Sequence, residues 1–312
     1  MKNEALAAVV SAGMTKFGKL EGYSARELLV LAFREALDRC PELDPKKDID
    51  AVFVGNMAGE AWEHQGHWGP IVADWVGLVP KPATRFENAC ASSGVAFRHA
   101  VMAVKSGLVD VVLVGGVEKM THRPIQETTE FLAFASDHPF EQFHGLTFPG
   151  LYALIATAHM HRYGTTEEQM AMVAVKAHKY GALNPKAQFQ KPVTLEKAMS
   201  SRVIAWPLKL YDCCPVSDGA ACVVVTRPEL AKKFTDTPVY VVASGQGSDY
   251  IGLYEREDLT TLKSTVEASR MAYRMAGIED PLREIDLIEL HDCFTIAEII
   301  AYEDLGLCSK GE

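Results

Sequence analysis

Ile49-Asp50-Ala51-Val52-Phe53-Val54-Gly55 is a short apolar run, rich in β-branched residues and closed by glycine, and it reads as a buried strand. A run of similar make-up, Ile285-Asp286-Leu287-Ile288-Glu289-Leu290-His291, follows 236 residues later. The order of elements around the two runs also repeats. Residues 6–12 read as a strand, and Ser24 offers an N-cap to a helix carrying Leu28, Leu29, Leu31, Ala32, Phe33, Ala36 and Leu37. Residues 239–249 echo that opening strand ahead of another helical stretch. Strands alternating with helices imply crossover connections and an α/β layer architecture, here a duplicated one.

Between the repeats, residues 109–116 form the most strand-like stretch, and from 120 to about 206 the alternation disappears. Two helices are expected in that gap. One covers 151–163; the other opens on a capping box of Thr165 and Glu168 and stops near Asn184-Pro185. The boundaries that follow are an N-terminal half over 1–119, an inserted loop domain over 120–205, a return to the first half over 206–237, and a second half over 238–312. The insertion suits a lid over a pocket or simply an extra lobe. The repeat register sets residue 312 opposite residue 76, short of the first half's later elements, so the second half is expected to be truncated.

The chain has 312 residues, 48% hydrophobic and 23% charged, enough for a substantial core. Its 31 basic and 41 acidic residues give a net charge of −10, and no basic run interleaves with aromatics, which argues against a nucleic-acid partner. The apolar run at 5–10 is too short for a secretion signal, and no stretch approaches a membrane span. Seven cysteines, an odd number in a long chain, suit a reduced, cytoplasmic protein. Cys213 and Cys214 lack the spacing of a zinc site, so no metal is expected. His159 and His161 do not share a helical face, and Asp218-Gly219 reads as a turn before a strand.

Two segments carry the chemistry. In Asn88-Ala89-Cys90-Ala91-Ser92-Ser93-Gly94 the thiol of Cys90 sits at or near the first turn of a helix that Gly107 closes. Unpaired N–H groups and the macrodipole there should favour thiolate. From position alone Cys90 is equally well a packed small hydrophobe. His291-Asp292-Cys293-Phe294 lies after the second expected strand and before a helix, where α/β sheets bind ligands. His291 offers a proton carrier and a hydrogen-bond donor for developing oxyanion charge, with the Cys293 thiol beside it. A histidine capping a strand end above a packed cysteine is the plainer reading.

Four stretches together resemble the thiolase superfamily: 88–94, the strand 111–117 with Glu118, Pro215-Val216-Ser217-Asp218-Gly219-Ala220-Ala221, and 291–294. The resemblance is to the branch of sterol-carrier-protein-2-type thiolases and archaeal acetyl-CoA acetyltransferases, and it runs along essentially the whole chain. It implies a duplicated α/β/α/β/α fold with a loop domain between the halves. It further implies acyl-CoA C-acyltransferase activity joining two acetyl-CoA molecules through a cysteine acyl-enzyme. In its terms Cys90 is the nucleophile, His291 binds the thioester oxygen and Cys293 is the acid/base. Coenzyme A thioesters are substrates, and no permanently bound cofactor is implied. Homodimers or homotetramers are family behaviour, as is docking to hydroxymethylglutaryl-CoA synthase through a DUF35-type bridging protein. The family's Gly-His-Pro motif does not occur here, which keeps open a catalytically impaired scaffold subunit. Relatives acting as retro-aldolases generally lack the nucleophilic cysteine.

Overall fold

In the computed structural model, which describes residues 4–312, the chain divides into two units. Of the described residues, 4–124 with 216–243 form one, and 125–215 with 244–312 the other. Among the described residues no helix is long and apolar enough to cross a membrane.

The first unit is built on a six-stranded mixed sheet. Its strands are β1 (Ala7–Met14), β2 (Ala51–Gly55), β3 (Ala83–Phe86), β4 (Val111–Glu118), β5 (Gly219–Thr226) and β6 (Val239–Val241), in the order β3-β2-β4-β5-β1-β6. β2 runs parallel to both β3 and β4, as crossovers require, while β5 is antiparallel to β4 and β1. The period of two along each strand fills both faces. Val52, Val54, Val111, Leu113, Cys222 and Val224 join one core with helix α1 (Ala25–Asp38) and helix α2 (Trp68–Trp75). Ala51, Val112, Val114 and Val225 join the other with helix α3 (Ser92–Ser106). The result is a three-layer α/β/α unit. Ser24 caps α1 as expected, in a capping box with Glu27, and Gly107 ends α3 in the left-handed conformation.

Two glycines set how closely α3 meets the sheet. Gly55 and Gly116 face each other across the β2–β4 ladder. A methyl group on Gly55 would stand 2.4 Å from the Ser93 Cα, and one on Gly116 1.9 Å from the Ser93 Oγ. The first turn of α3 therefore rests directly on strand backbone.

A buried ion pair ties the end of β4 to the start of β5. Asp218 is wholly buried, and its carboxylate accepts from Lys119 Nζ at 2.6 Å, from the Met120 and Thr121 amides at 2.8 Å each, from Thr121 Oγ1 at 2.6 Å and from the Leu20 amide at 3.0 Å. Burial alone would push this carboxyl up, but Lys119 and Thr121 outweigh it and hold the pKa below the ordinary value. The stabilisation is fully present above the usual aspartate range and is lost as the pH falls below that range through the lowered pKa of the folded state. Asp218 is thus a structural hub rather than the plain turn residue its sequence suggests.

The second unit is mainly helical, with α4 (Phe148–Tyr163), α5 (Glu167–Gly181), α6 (Lys263–Ala276) and α7 (Thr295–Asp304). Its core gathers Ala153, Ile155 and Ala156 of α4, Met170 of α5, Leu208, and Ile296, Ala297 and Ile300 of α7. The capping box of α5 is one residue later than expected, Thr166 with Gln169, because those side chains reach the backbone amides and Thr165 instead meets His159.

Two expected strands of the second half differ from the reading above. Only Val239–Val241 of the 239–249 run pairs, and it does so with β1, as the edge strand of the first unit's sheet. Residues 285–291 form no ladder among the described residues, the chain bends at Asp286, and Leu287 is 75% exposed. β-rich composition supplies the inclination to extend, but a strand exists only where a neighbour completes its hydrogen bonds.

Gly55→Ala should destabilise the first unit by about 1–3 kcal/mol, as overpacking does, because Ser93 backbone cannot yield as a flexible side chain would. Urea unfolding measures it; an unchanged midpoint would show that the close approach is not constraining.

Candidate functional site

The chain from β3 turns sharply before α3, and Cys90 stands in that turn, in the short 3₁₀ segment Ala89–Ala91. Ser92 holds the turn in shape. Its hydroxyl accepts from the Asn88 amide at 2.9 Å and donates to the Ala89 carbonyl at 2.7 Å. The Glu87 carboxylate accepts from the Ala89 amide at 2.7 Å, and the Ala91 amide closes on Asn88 O at 2.9 Å. Ala89 carries φ +47°, a conformation that costs a residue with a Cβ about 1–3 kcal/mol and persists only where its surroundings over-determine it. The strain sits one residue before the thiol.

The carboxyl ends of the three parallel strands meet at this edge. After β2, Asn56 Nδ2 donates to Val117 O at 3.0 Å and to Glu118 Oε1 at 3.2 Å. The Glu118 carboxylate also accepts from the Met57 and Ala58 amides at 2.9 and 3.1 Å. Arg85, at the end of β3, donates to Asn56 O at 3.0 Å and Met57 O at 2.7 Å. Cys90, Glu118 and the 56–58 turn therefore share one end of the sheet.

The thiol departs from the expected electrostatics. Cys90 lies two residues ahead of α3, in the 3₁₀ turn rather than in the helix's first turn. Part of the residue reaches solvent, yet crowding around the sulfur pushes its pKa up, and the nearby Glu118 charge adds to the rise against its own backbone hydrogen bond. Burial raises the Glu118 carboxyl as well, against the amides of Met57 and Ala58. The resting sulfur is a thiol, not the thiolate the macrodipole suggested.

His291 and Cys293 stand together on the segment that enters α7, in the second unit, while Cys90 belongs to the first. His291 is exposed as a residue, yet partial desolvation of its imidazole by the surrounding atoms holds the pKa below its ordinary value of about 6.5, so at neutral pH the ring is mainly neutral, with one nitrogen to donate and one to accept. Cys293 is buried in the core that holds Phe294, Ile296 and Leu208. Its carbonyl accepts from the Cys214 amide at 3.0 Å, and Phe294 bridges to Cys213, so the adjacent cysteines act as backbone anchors for this segment. Phe294 stacks on Tyr152 with centroids 4.5 Å apart. His159, unremarkable in sequence, is wholly buried between Thr165 and Glu303.

Residues 7–229 match the thiolase N-terminal domain, and 245–312 the thiolase C-terminal domain-like family. The chain belongs to the thiolase family. It is similar to the acetyl-CoA acetyltransferase of Methanothermobacter thermautotrophicus, at 46% identity over 98% of this chain and 78% of that protein. The acetyl-CoA acetyltransferase of Methanocaldococcus jannaschii is 45% identical over 98% of this chain and 77% of that one. Among solved structures, an Ltp2–ChsH2(DUF35) aldolase superposes with a TM-score of 0.83 at 30% identity, covering all of this chain and 79% of the other. The α/β thiolase-like fold is as the sequence led one to expect; Glu118 belongs to one of the family-like stretches, while Asn56 and Arg85 are site-end residues outside all four of them.

Glu118→Gln removes the charge while keeping an acceptor for the 57–58 amides. It should move the pH profile of Cys90 alkylation by iodoacetamide to lower pH. A profile that stays in place would separate Glu118 from the thiol.

Proposed function

We propose that this thiolase is an acyl-CoA C-acyltransferase that joins two acetyl-CoA molecules into acetoacetyl-CoA and CoA, with Cys90 as the nucleophile. The observation that carries the reading is the strained, hydrogen-bonded turn that presents one accessible thiol at the carboxyl end of a parallel sheet. The two acetyl-CoA acetyltransferases it resembles support the substrate class.

The chemistry suits these residues. Cys90 sulfur adds to the thioester carbonyl, the acetyl group passes to it, and its proton departs on the CoA thiol. Because the resting thiol is protonated, ionisation is coupled to attack rather than complete beforehand. Cys293 then acts as the base. An α-proton of a second acetyl-CoA passes to its sulfur, and the carbanion forms a carbon–carbon bond at the acyl carbonyl. The carbon–sulfur bond to Cys90 breaks, and the proton held by Cys293 returns to the Cys90 thiolate, so both sulfurs regain their starting state. Neutral His291 serves as hydrogen-bond donor to the thioester oxygen as it gains charge.

A DUF35-type partner protein is part of this proposal, on the strength of the relative named as an Ltp2–ChsH2(DUF35) aldolase. Aldolase chemistry itself is disfavoured for this chain by the thiol at 90, which a retro-aldol cleavage does not use.

Incubation with acetyl-CoA followed by mass spectrometry should find an acetyl group on Cys90 and none on buried Cys40 or on Cys308. Cys90→Ala should lose that adduct and lower acetoacetyl-CoA thiolysis by about 10³-fold or more. Labelling spread evenly over the three cysteines would defeat the assignment.

A further inference from the structure

The segment that carries His291 and Cys293 lacks two ordinary supports. Among the described residues it joins a neighbour only through one isolated bridge, and Phe294, the N-cap residue of α7, has no side chain that can accept from the helix amides. What holds the junction comes from residues 208–214 of the same unit.

Asp212 is the centre of that support. It ends the 3₁₀ turn Leu210–Asp212 and is 5% exposed. Its carboxylate serves two segments: Oδ2 accepts from the Lys209 amide at 2.7 Å, and Oδ1 accepts from the Thr295 hydroxyl at 2.9 Å. Thr295 is the first residue of α7 and is itself buried. Cys213 then lies opposite Phe294 in the antiparallel bridge, and the Cys214 amide donates to the Cys293 carbonyl at 3.0 Å. Three consecutive residues, 212–214, thus meet three consecutive residues, 293–295, in reverse order.

The support is itself anchored. Leu208 is wholly buried in the core that also receives Cys293, Phe294 and Ile296. Lys209 Nζ pairs with Glu167 in the first turn of α5. Burial pushes the Asp212 carboxyl up, while the Lys209 amide and the Thr295 hydroxyl pull it back. A buried carboxyl that loses its donors bears the full cost of desolvation, so Asp212 has little freedom to swing away from either partner.

We propose that Asp212 is a positioning residue for Cys293: by bonding its own turn to Thr295 it fixes the register in which 212–214 hold 293–295, and with it the place of the Cys293 thiol. Its importance to catalysis rests on the acyl-transfer reading, in which that sulfur takes the α-proton. Proton transfer needs the two heavy atoms within about 2.6–3.2 Å. A misplacement of about 1 Å costs on the order of 10²-fold in rate.

Asp212→Ala removes both acceptors. Asp212→Asn keeps both bonds, because its amide oxygen accepts from Lys209 and its amide nitrogen donates to the Thr295 hydroxyl. Thr295→Val and Thr295→Ser make the same comparison from the other side. In acetoacetyl-CoA thiolysis, Asp212→Ala and Thr295→Val should each lower kcat by about 10-fold or more with KM within about twofold, and Asp212→Asn and Thr295→Ser should recover most of the loss. The double variant Asp212→Ala/Thr295→Val should fall no further than Asp212→Ala alone, since one interaction is shared. Asparagine as impaired as alanine would assign the effect to charge and overturn the positioning role, as would a kcat that neither alanine nor valine moves.

Iodoacetamide labelling resolved by mass spectrometry needs no CoA ester. Cys293 should alkylate about threefold or more faster in Asp212→Ala and Thr295→Val, while Cys40, buried in the first unit's core, stays protected as in any folded chain. Equal Cys293 labelling in wild type and both variants refutes the brace. If Asp212→Ala exposes Cys40 as well, that variant has unfolded, and Thr295→Val against Thr295→Ser decides. Wild-type protein without thiolysis would end the acyl-transfer reading, and the Cys293 labelling would still decide whether Asp212 holds the thiol.

Discussion

The close approach of Ser93 to the backbone at Gly55 and Gly116 is the constraint on which the first unit's chemistry depends. A helix held off a sheet by ordinary side chains could start in many places along it. Here the two glycines remove the Cβ atoms from adjacent parallel strands at the same register, so the first turn of α3 settles into one position. The preceding turn must then compress, and Ala89 accepts a left-handed conformation to allow it. Ser92, the neighbour of the docked residue, repays part of that strain with two hydrogen bonds to the turn. Cys90 is displayed as a consequence of packing beneath it.

The electrostatics of the two units follow one logic with different outcomes. In the first, Asp218 is buried but surrounded by an ammonium, two amides and a hydroxyl, and it stays ionised. Glu118 is also buried and meets amides, yet burial prevails and its carboxyl is raised. In the second, burial and then the charge of Glu298 raise the Asp292 carboxyl, and Lys176 only partly offsets them. The number and placement of donors, not burial alone, decides which carboxyl keeps its charge.

Much of the first unit was legible because its signals are local. Ser24, Gly107 and the runs at 49–55 and 109–116 declare caps and strands through residue type and period. The second half was legible mainly as chemistry. His291-Asp292-Cys293-Phe294 stands out by composition, but the strand expected before it has no ladder, since pairing is a property of two segments and only one was read. The lowered pKa expected for Cys90 failed for a related reason. Helix position is visible in a sequence, whereas the crowding of a sulfur and the proximity of Glu118, 28 residues away along the chain, are not.

By itself the sequence determined the α/β class, the membership in the thiolase family and the segments in which reactive side chains occur, because periodicity, caps and motifs are written in neighbouring residues. Only the tertiary structure decided the charge state of those side chains and what holds them. Glycines 55 and 116 mean little until β2 and β4 lie side by side, and Glu298 reads as one more acidic residue until α5 brings Lys176 to it. Energies of that kind depend on distances through space, which chain order does not record.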